Sequence, residues 1–145
     1  MKDLIKETNG YLANLGVMYF KLHNLHWNVV GPQFQAIHVY LETIYDAFAE
    51  SLDEVAEYIK MEKALPIAKM SDYLELATIN EIESSDYFTL AAVQILLDDI
   101  KTLLTQATSL RMYAEKVEKF SLVNILDDHI KEYNKTIWFL SSMLK

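Results

Sequence analysis

The sequence predicts an all-α fold, four long helices packed as a bundle, with a short extra helix in the connection between the second and the third. Three observations carry this. The chain has 145 residues but only three glycines and two prolines, too few turn formers for a sheet-rich domain. Its hydrophobic fraction is 52%, enough to bury one sizeable core. Apolar residues also recur at helical spacing over long stretches. A length of 145 residues with no internal repeat reads as one domain spanning 1–145.

The elements follow in order. The first helix is predicted from about Asp3 to Val30, with Leu4, Leu12, Leu15, Tyr19, Leu22, Leu25 and Val29 as its inner stripe. Gly10 and Gly16 sit inside it. Each costs about 1 kcal/mol against alanine, and such glycines are expected to mark close packing. Gly31-Pro32 is the clearest stop. The second helix is predicted over Gln33–Lys63, followed by a connector containing Pro66. Ser71-Asp72 is expected to cap a short helix ending at Ala77, and Ser84-Ser85-Asp86 to cap the third long helix, about Tyr87–Lys116. Phe120-Ser121 opens the fourth, which runs almost to Lys145.

Composition excludes several function classes. Thirteen basic against 21 acidic residues give a net charge of −8. Such a surface is a poor general match for nucleic acid, because phosphate neutralisation needs clustered Lys and Arg. The absence of cysteine removes disulfides, thiolate metal sites, iron–sulfur clusters and thiol nucleophiles. No run of 18 apolar residues occurs, so no membrane span is expected. The segment Met1–Glu7 alternates charge and lacks an apolar stretch, so no secretory signal is expected and the cytoplasm is the default location.

The chemistry-bearing residues fall into two groups. Of the four histidines, His26 and His38 lie about equally far before and after the Gly31-Pro32 break. An antiparallel hairpin there brings them level, which favours a shared ligand over two unrelated core histidines. On the second helix Asp53 and Glu57 are four residues apart, so they share a face. A carboxylate pair of this kind is either a solvated stripe or half of a hard-cation site, and imidazole with carboxylate suits divalent iron or zinc. One chain cannot join the two groups. His38 and Asp53 are 15 residues apart, about 22 Å along a helix. Two ligands reaching toward a metal pair span roughly 16 Å at best. Either there is no joint site, or Asp53 and Glu57 come from a second subunit across a two-fold axis. The Glu-x-x-His motif of single-chain di-iron bundles is absent, which disfavours that arrangement.

These residues resemble a known family. The stretch Leu22-His23-Asn24-Leu25-His26-Trp27-Asn28-Val29-Val30-Gly31-Pro32-Gln33-Phe34, then His38, then Asp53-Glu54-Val55-Ala56-Glu57, looks like the signature of the Dps mini-ferritins. Tyr73-Leu74-Glu75-Leu76 and Ile137-Trp138 also match, and the likeness covers nearly the whole chain. The resemblance implies a ferritin-like subunit assembling into a hollow homododecamer. It implies a ferroxidase that oxidises Fe(II), preferentially with hydrogen peroxide, at sites between subunits, and stores the ferric mineral inside. Carried over position by position, His26 and His38 of one subunit and Asp53 and Glu57 of its mate are the iron ligands. Glu42 stands where the family usually has an aspartate near the site, and Trp27 stands beside the centre as a redox or supporting residue. The family's iron-access pore is lined early in the last helix, where Asn124, Asp127 and Asp128 stand. Zinc is a competitor for the same donors. The alternative readings are a DNA-compacting protein and a non-catalytic, metal-buffering assembly. DNA binding is expected to be absent, because the chain lacks a Lys/Arg-rich terminal extension.

Overall fold

The computed structural model describes residues 2–145, and Met1 lies outside them. The long elements are α1 (Lys2–Asn28), α2 (Phe34–Met61), α4 (Thr89–Lys116) and α5 (Phe120–Met143). A short α3 (Met70–Leu76) lies in the connector between α2 and α4. The four-helix bundle with an extra helix is therefore the fold, and all of the predicted stripe on α1 is buried except the half-buried Tyr19. α5 shows why these segments are helical and where they face. Beside Val123, its buried residues Leu122, Leu126, His129, Tyr133, Thr136 and Leu140 recur at alternating steps of four and three. That is the seam of a bundle helix.

The backbone turns over at Gly31, whose φ of 111° lies in the left-handed region. A Cβ there would also approach the Phe88 ring to 2.9 Å. The break between the helices is longer than predicted, because Val29–Val30 leaves the helix to form a strand, β1, and α2 starts at Phe34 rather than Gln33. β1 pairs in parallel with β2 (Tyr87–Phe88), Val29 opposite Tyr87 and Val30 opposite Phe88. This two-residue ladder ties the end of α1 to the start of α4. It also overturns the expected cap: Phe88, held extended by the pairing, precedes the first turn of α4, and Ser84, Ser85 and Asp86 stay in the connector. α3 likewise starts at Met70 after Lys69 with no side-chain cap, while Asp72 sits in its first turn, where negative charge favours the helix N-terminus.

The connector, residues 62–88, runs back along α1 and is fastened to it by α1's own polar side chains. Asn9 Oδ1 accepts the Ile67 N–H at 2.9 Å. Asn14 Oδ1 accepts the N–H groups of Thr78 and Ile79, at 2.8 and 3.1 Å, and its Nδ2 donates to Gln106 at 2.8 Å. Lys21 Nζ donates to the Asn80 carbonyl at 2.6 Å and pairs with Asp99 at 2.7 Å. Asn24 Nδ2 donates to the Ile82 and Glu83 carbonyls. The contacts to Ile67, Thr78, Ile79, Asn80, Ile82 and Glu83 each pair a backbone group of the connector, while Gln106 and Asp99 are side chains of α4.

The two helical glycines behave differently. A Cβ at Gly16 would collide with the Tyr73 ring, so this glycine lets α3 lie against α1. Nothing stands within 4 Å of a Cβ at Gly10, which overturns the expectation of close packing there. Opposite stability changes are expected. Gly10→Ala gains up to about 1 kcal/mol of helix propensity. Gly16→Ala loses about 1–2 kcal/mol net, as overpacking against Tyr73 outweighs that gain. Thermal melts of the two variants check both signs.

Candidate metal centre

The hairpin brings His26 and His38 face to face, as their spacing predicts. Their rings stack with centroids 3.8 Å apart and planes 13° from parallel. Each ring is locked by the other's backbone: His26 Nδ1 donates to the His38 carbonyl and His38 Nδ1 to the His26 carbonyl, both at 2.7 Å. A carbonyl only accepts, so both Nδ1 atoms carry the proton and both Nε2 atoms hold free lone pairs. This is the tautomer that binds a metal through Nε2. His26 lies in the last turn of α1, where carbonyls lack helical partners, so His38 also closes one of the open carbonyls there. Phe34 stacks on His38 at 5.0 Å and Tyr45 meets His26 edge-on at 5.3 Å. His26 is buried and His38 half-buried.

Glu42 stands beside this pair. Its Oε1 lies 3.9 Å from His26 Nε2. A gap of 3.9 Å is too wide for a hydrogen bond but can be bridged by one cation. Two donors at about 2.1 Å from one cation reach up to about 4.2 Å apart.

Asp53 and Glu57 lie on α2 but away from the histidines. Both are exposed, in an open groove of about 760 Å³ that they share with Glu50, Glu54, Lys60 and Ile125. Since α2 is continuous from Phe34 to Met61, the separation of about 22 Å between His38 and Asp53 stands. Among the described residues, no three His, Asp or Glu side chains converge on one point that would hold a metal. A single protomer thus presents two separate donor groups: two imidazoles with Glu42, and a carboxylate pair.

The remaining candidates are scattered. Trp27 is 61% exposed and touches His23, with ring centroids 5.4 Å apart, on the outer side of α1. Asn124, Asp127 and Asp128 are all exposed near the start of α5. Asp127 is engaged by Arg111 Nε at 2.8 Å, and Arg111 also holds Glu115 at 2.6 Å, so that carboxylate already has a cation.

One buried cluster has no motif in the sequence to mark it. His129, Tyr11 and Tyr133 form a polar island in the bundle core that reaches Glu54 at its edge. Burial pushes the His129 imidazole below its ordinary value, opposed by its bond to Glu54. The available signal was that Tyr11, His129 and Tyr133 occupy core positions in otherwise apolar stripes.

The ferritin-like domain pattern matches residues 5–145. The DNA protection during starvation protein of Helicobacter pylori is 31% identical over 132 residues, covering 91% of this chain and 92% of that protein. This chain belongs to the Dps family. The crystal structure of antigen TpF1 from Treponema pallidum superposes with a TM-score of 0.97 at 29% identity, over 99% of this chain and 92% of that one. The Dps protein of Vibrio cholerae, described as a member of a broad superfamily of ferritin-like diiron-carboxylate proteins, gives 0.95 at 31% identity, over 99% and 90%. A Dps subunit is thus the frame in which the two donor groups stand. Among the described residues, no helix is long and apolar enough to cross a membrane.

Proposed function

We infer that this Dps-family chain is a ferroxidase and iron store whose working centre lies between subunits. His26, His38 and Glu42 of one protomer face Asp53 and Glu57 of the partner subunit, giving two equivalent centres per two-fold pair in a homododecamer. The observation that supports this best is the reciprocal lock on His26 and His38, which turns both Nε2 atoms away from the backbone and leaves that of His26 beside Glu42. Iron is the substrate. Two ferrous ions and one hydrogen peroxide, with two protons, give two ferric ions and two waters. Holding the ions as a pair delivers both electrons together and avoids the hydroxyl radical that one-electron reduction releases. A mixed donor set with few carboxylates leaves coordination positions open to peroxide. Zinc, which takes the same donors, inhibits by occupancy. Asn124 and Asp128 are assigned to the iron-access pore, with Asp127 available there only on release from Arg111. The location is cytoplasmic.

Complementation tests the shared centre. One variant carries His26→Ala and His38→Ala, the other Asp53→Ala and Glu57→Ala. Each is expected to be inactive alone. Co-assembled from equal amounts, half of the two-fold pairs are mixed, and each mixed pair holds one intact centre and one doubly broken one. About a quarter of wild-type ferrous oxidation should return. Co-assemblies with no activity would show that each chain works alone.

Protection through iron chemistry does not require contact with DNA. A net charge of −8 per chain gives a dodecamer roughly −100, which repels phosphate. Plasmid mixed with the pure protein at about 150 mM salt should migrate unshifted in an agarose gel.

A further inference from the structure

The geometry points to Tyr11 as a redox-active tyrosine: a buried phenol that gives up an electron to a strong one-electron oxidant while its proton passes to His129. Four side chains form one directed chain of hydrogen bonds. His129 Nε2 lies 3.1 Å from Glu54 Oε1, a carboxylate that accepts, so Nε2 carries the proton. Neutral His129 then has a bare Nδ1, and the Tyr11 hydroxyl, 2.9 Å away, donates to it. With its single proton spent there, Tyr11 oxygen accepts from Tyr133, at 2.6 Å. Tyr11 is fully buried, and Tyr133 and His129 are nearly so.

This order is what tyrosine oxidation requires. An oxidised phenol is strongly acidic and must lose its proton at once. The electron leaves Tyr11 for the oxidant, the O–H bond breaks, and the proton forms a new N–H bond at His129 Nδ1. The imidazolium so formed is held by the Glu54 carboxylate, and the Tyr133 O–H stays bonded to the radical oxygen. Burial keeps His129 neutral beforehand, so the acceptor is ready. The other well-placed tyrosines lack such a base. Tyr87 donates to the Glu83 carbonyl, which cannot take a proton. Tyr58 donates to Glu62, whose other oxygen is tied to Lys119, and a carboxylate is a weaker base than imidazole by about two pKa units. Access is provided from one side. Tyr133, His129 and Glu54 line a groove of about 410 Å³ between α2 and α5, separate from the His26–His38 pair.

The oxidant class is a radical of hydroxyl strength, such as a lone ferrous ion releases from peroxide. Refilling rests on the ferroxidase reading above: the next ferrous ion returns the electron, becoming ferric, and His129 returns the proton. The radical site and its refilling can fail separately, so the test has two arms. In the first, iron-free assembled protein is photo-oxidised with tris(bipyridyl)ruthenium and persulfate, frozen within milliseconds and read by electron paramagnetic resonance. Wild type should give a hydrogen-bonded tyrosyl signal that changes in heavy water. Tyr11→Phe should lower its yield at least fivefold, His129→Gln should shorten its lifetime at least tenfold, and Tyr58→Phe should leave it unchanged. Equal yield and lifetime in Tyr11→Phe and wild type would overturn the assignment. If Tyr11→Phe does not assemble, an unchanged lifetime in His129→Gln overturns it instead. In the second arm, Fe(II) added after the flash should erase the signal. A signal that survives Fe(II) overturns the refilling step and leaves the redox tyrosine standing.

Discussion

Replacing His26 and His38 together with alanine is expected to slow peroxide-driven ferrous oxidation by at least about 100-fold while the assembly survives. Both parts of that expectation come from the same hydrogen bonds. Removing even an outer-shell partner of a metal ligand costs about 10- to 100-fold in metal affinity or activity, and here both imidazole ligands and their mutual orientation disappear at once. The structural cost is local. His38 Nδ1 satisfies the His26 carbonyl at the open end of α1, and losing that bond leaves a shielded acceptor, about 1–3 kcal/mol. The turn itself is still held by Gly31 and by the β1–β2 ladder, neither of which uses these side chains. Native mass measurement should therefore find the wild-type assembly, and stopped-flow absorbance after a peroxide pulse should find almost no ferric product. Wild type should consume about half an equivalent of peroxide per iron, the signature of paired electron transfer. A double variant that oxidises iron at the wild-type rate would remove these histidines from the centre.

The fold was legible in the sequence for a physical reason: few turn formers and long apolar periodicity leave little besides a bundle. The hairpin at Gly31-Pro32 was equally legible, and with it the meeting of His26 and His38. What could not be read was how the meeting is enforced. Reciprocal bonds from ring to backbone depend on the level of two helices to within an ångström, and residue spacing does not carry that. Caps were misplaced at Ser84–Asp86 because a two-residue parallel ladder, with no periodicity of its own, set the start of α4. Nothing in residue spacing singles out Asn9, Asn14, Lys21 and Asn24. Their role appears only with the connector laid along them, since each is paired to backbone at least 56 residues away. The Tyr11–His129–Tyr133 island was missed for a similar reason: its members come from opposite ends of the chain. For Asp53 and Glu57 the spacing gave a shared face of α2 and the need for a second subunit, but no partner geometry, because their proposed counterpart belongs to another molecule.

The second large effect is expected at that carboxylate half, and it separates a metal site from a solvated stripe. Asp53→Asn with Glu57→Gln removes two of the four acidic side chains that crowd the α2 groove, where Lys60 is the one basic residue of the lining. Like charges one helical turn apart oppose each other by about 0.2–0.5 kcal/mol. Without metal, the double variant should therefore melt at the wild-type temperature or slightly above it. With metal the order should reverse. A ligand that binds only the folded state stabilises it by RT ln(1 + [L]/Kd), about 2.7 kcal/mol at one hundred times Kd. Zinc, which does not turn over, should raise the wild-type melting temperature by several degrees and leave the variant unmoved. Ferrous oxidation in the variant should fall by about 100-fold, as in the histidine pair, because half of the donor set is gone. If the carboxylates were only a hydrated surface, zinc would shift both proteins alike and oxidation would proceed unchanged. The crossing of the two melting curves on adding metal is thus the decisive measurement: a charged surface gains stability by losing its repulsion, whereas a ligand set gives up with that repulsion the ion it was arranged to hold.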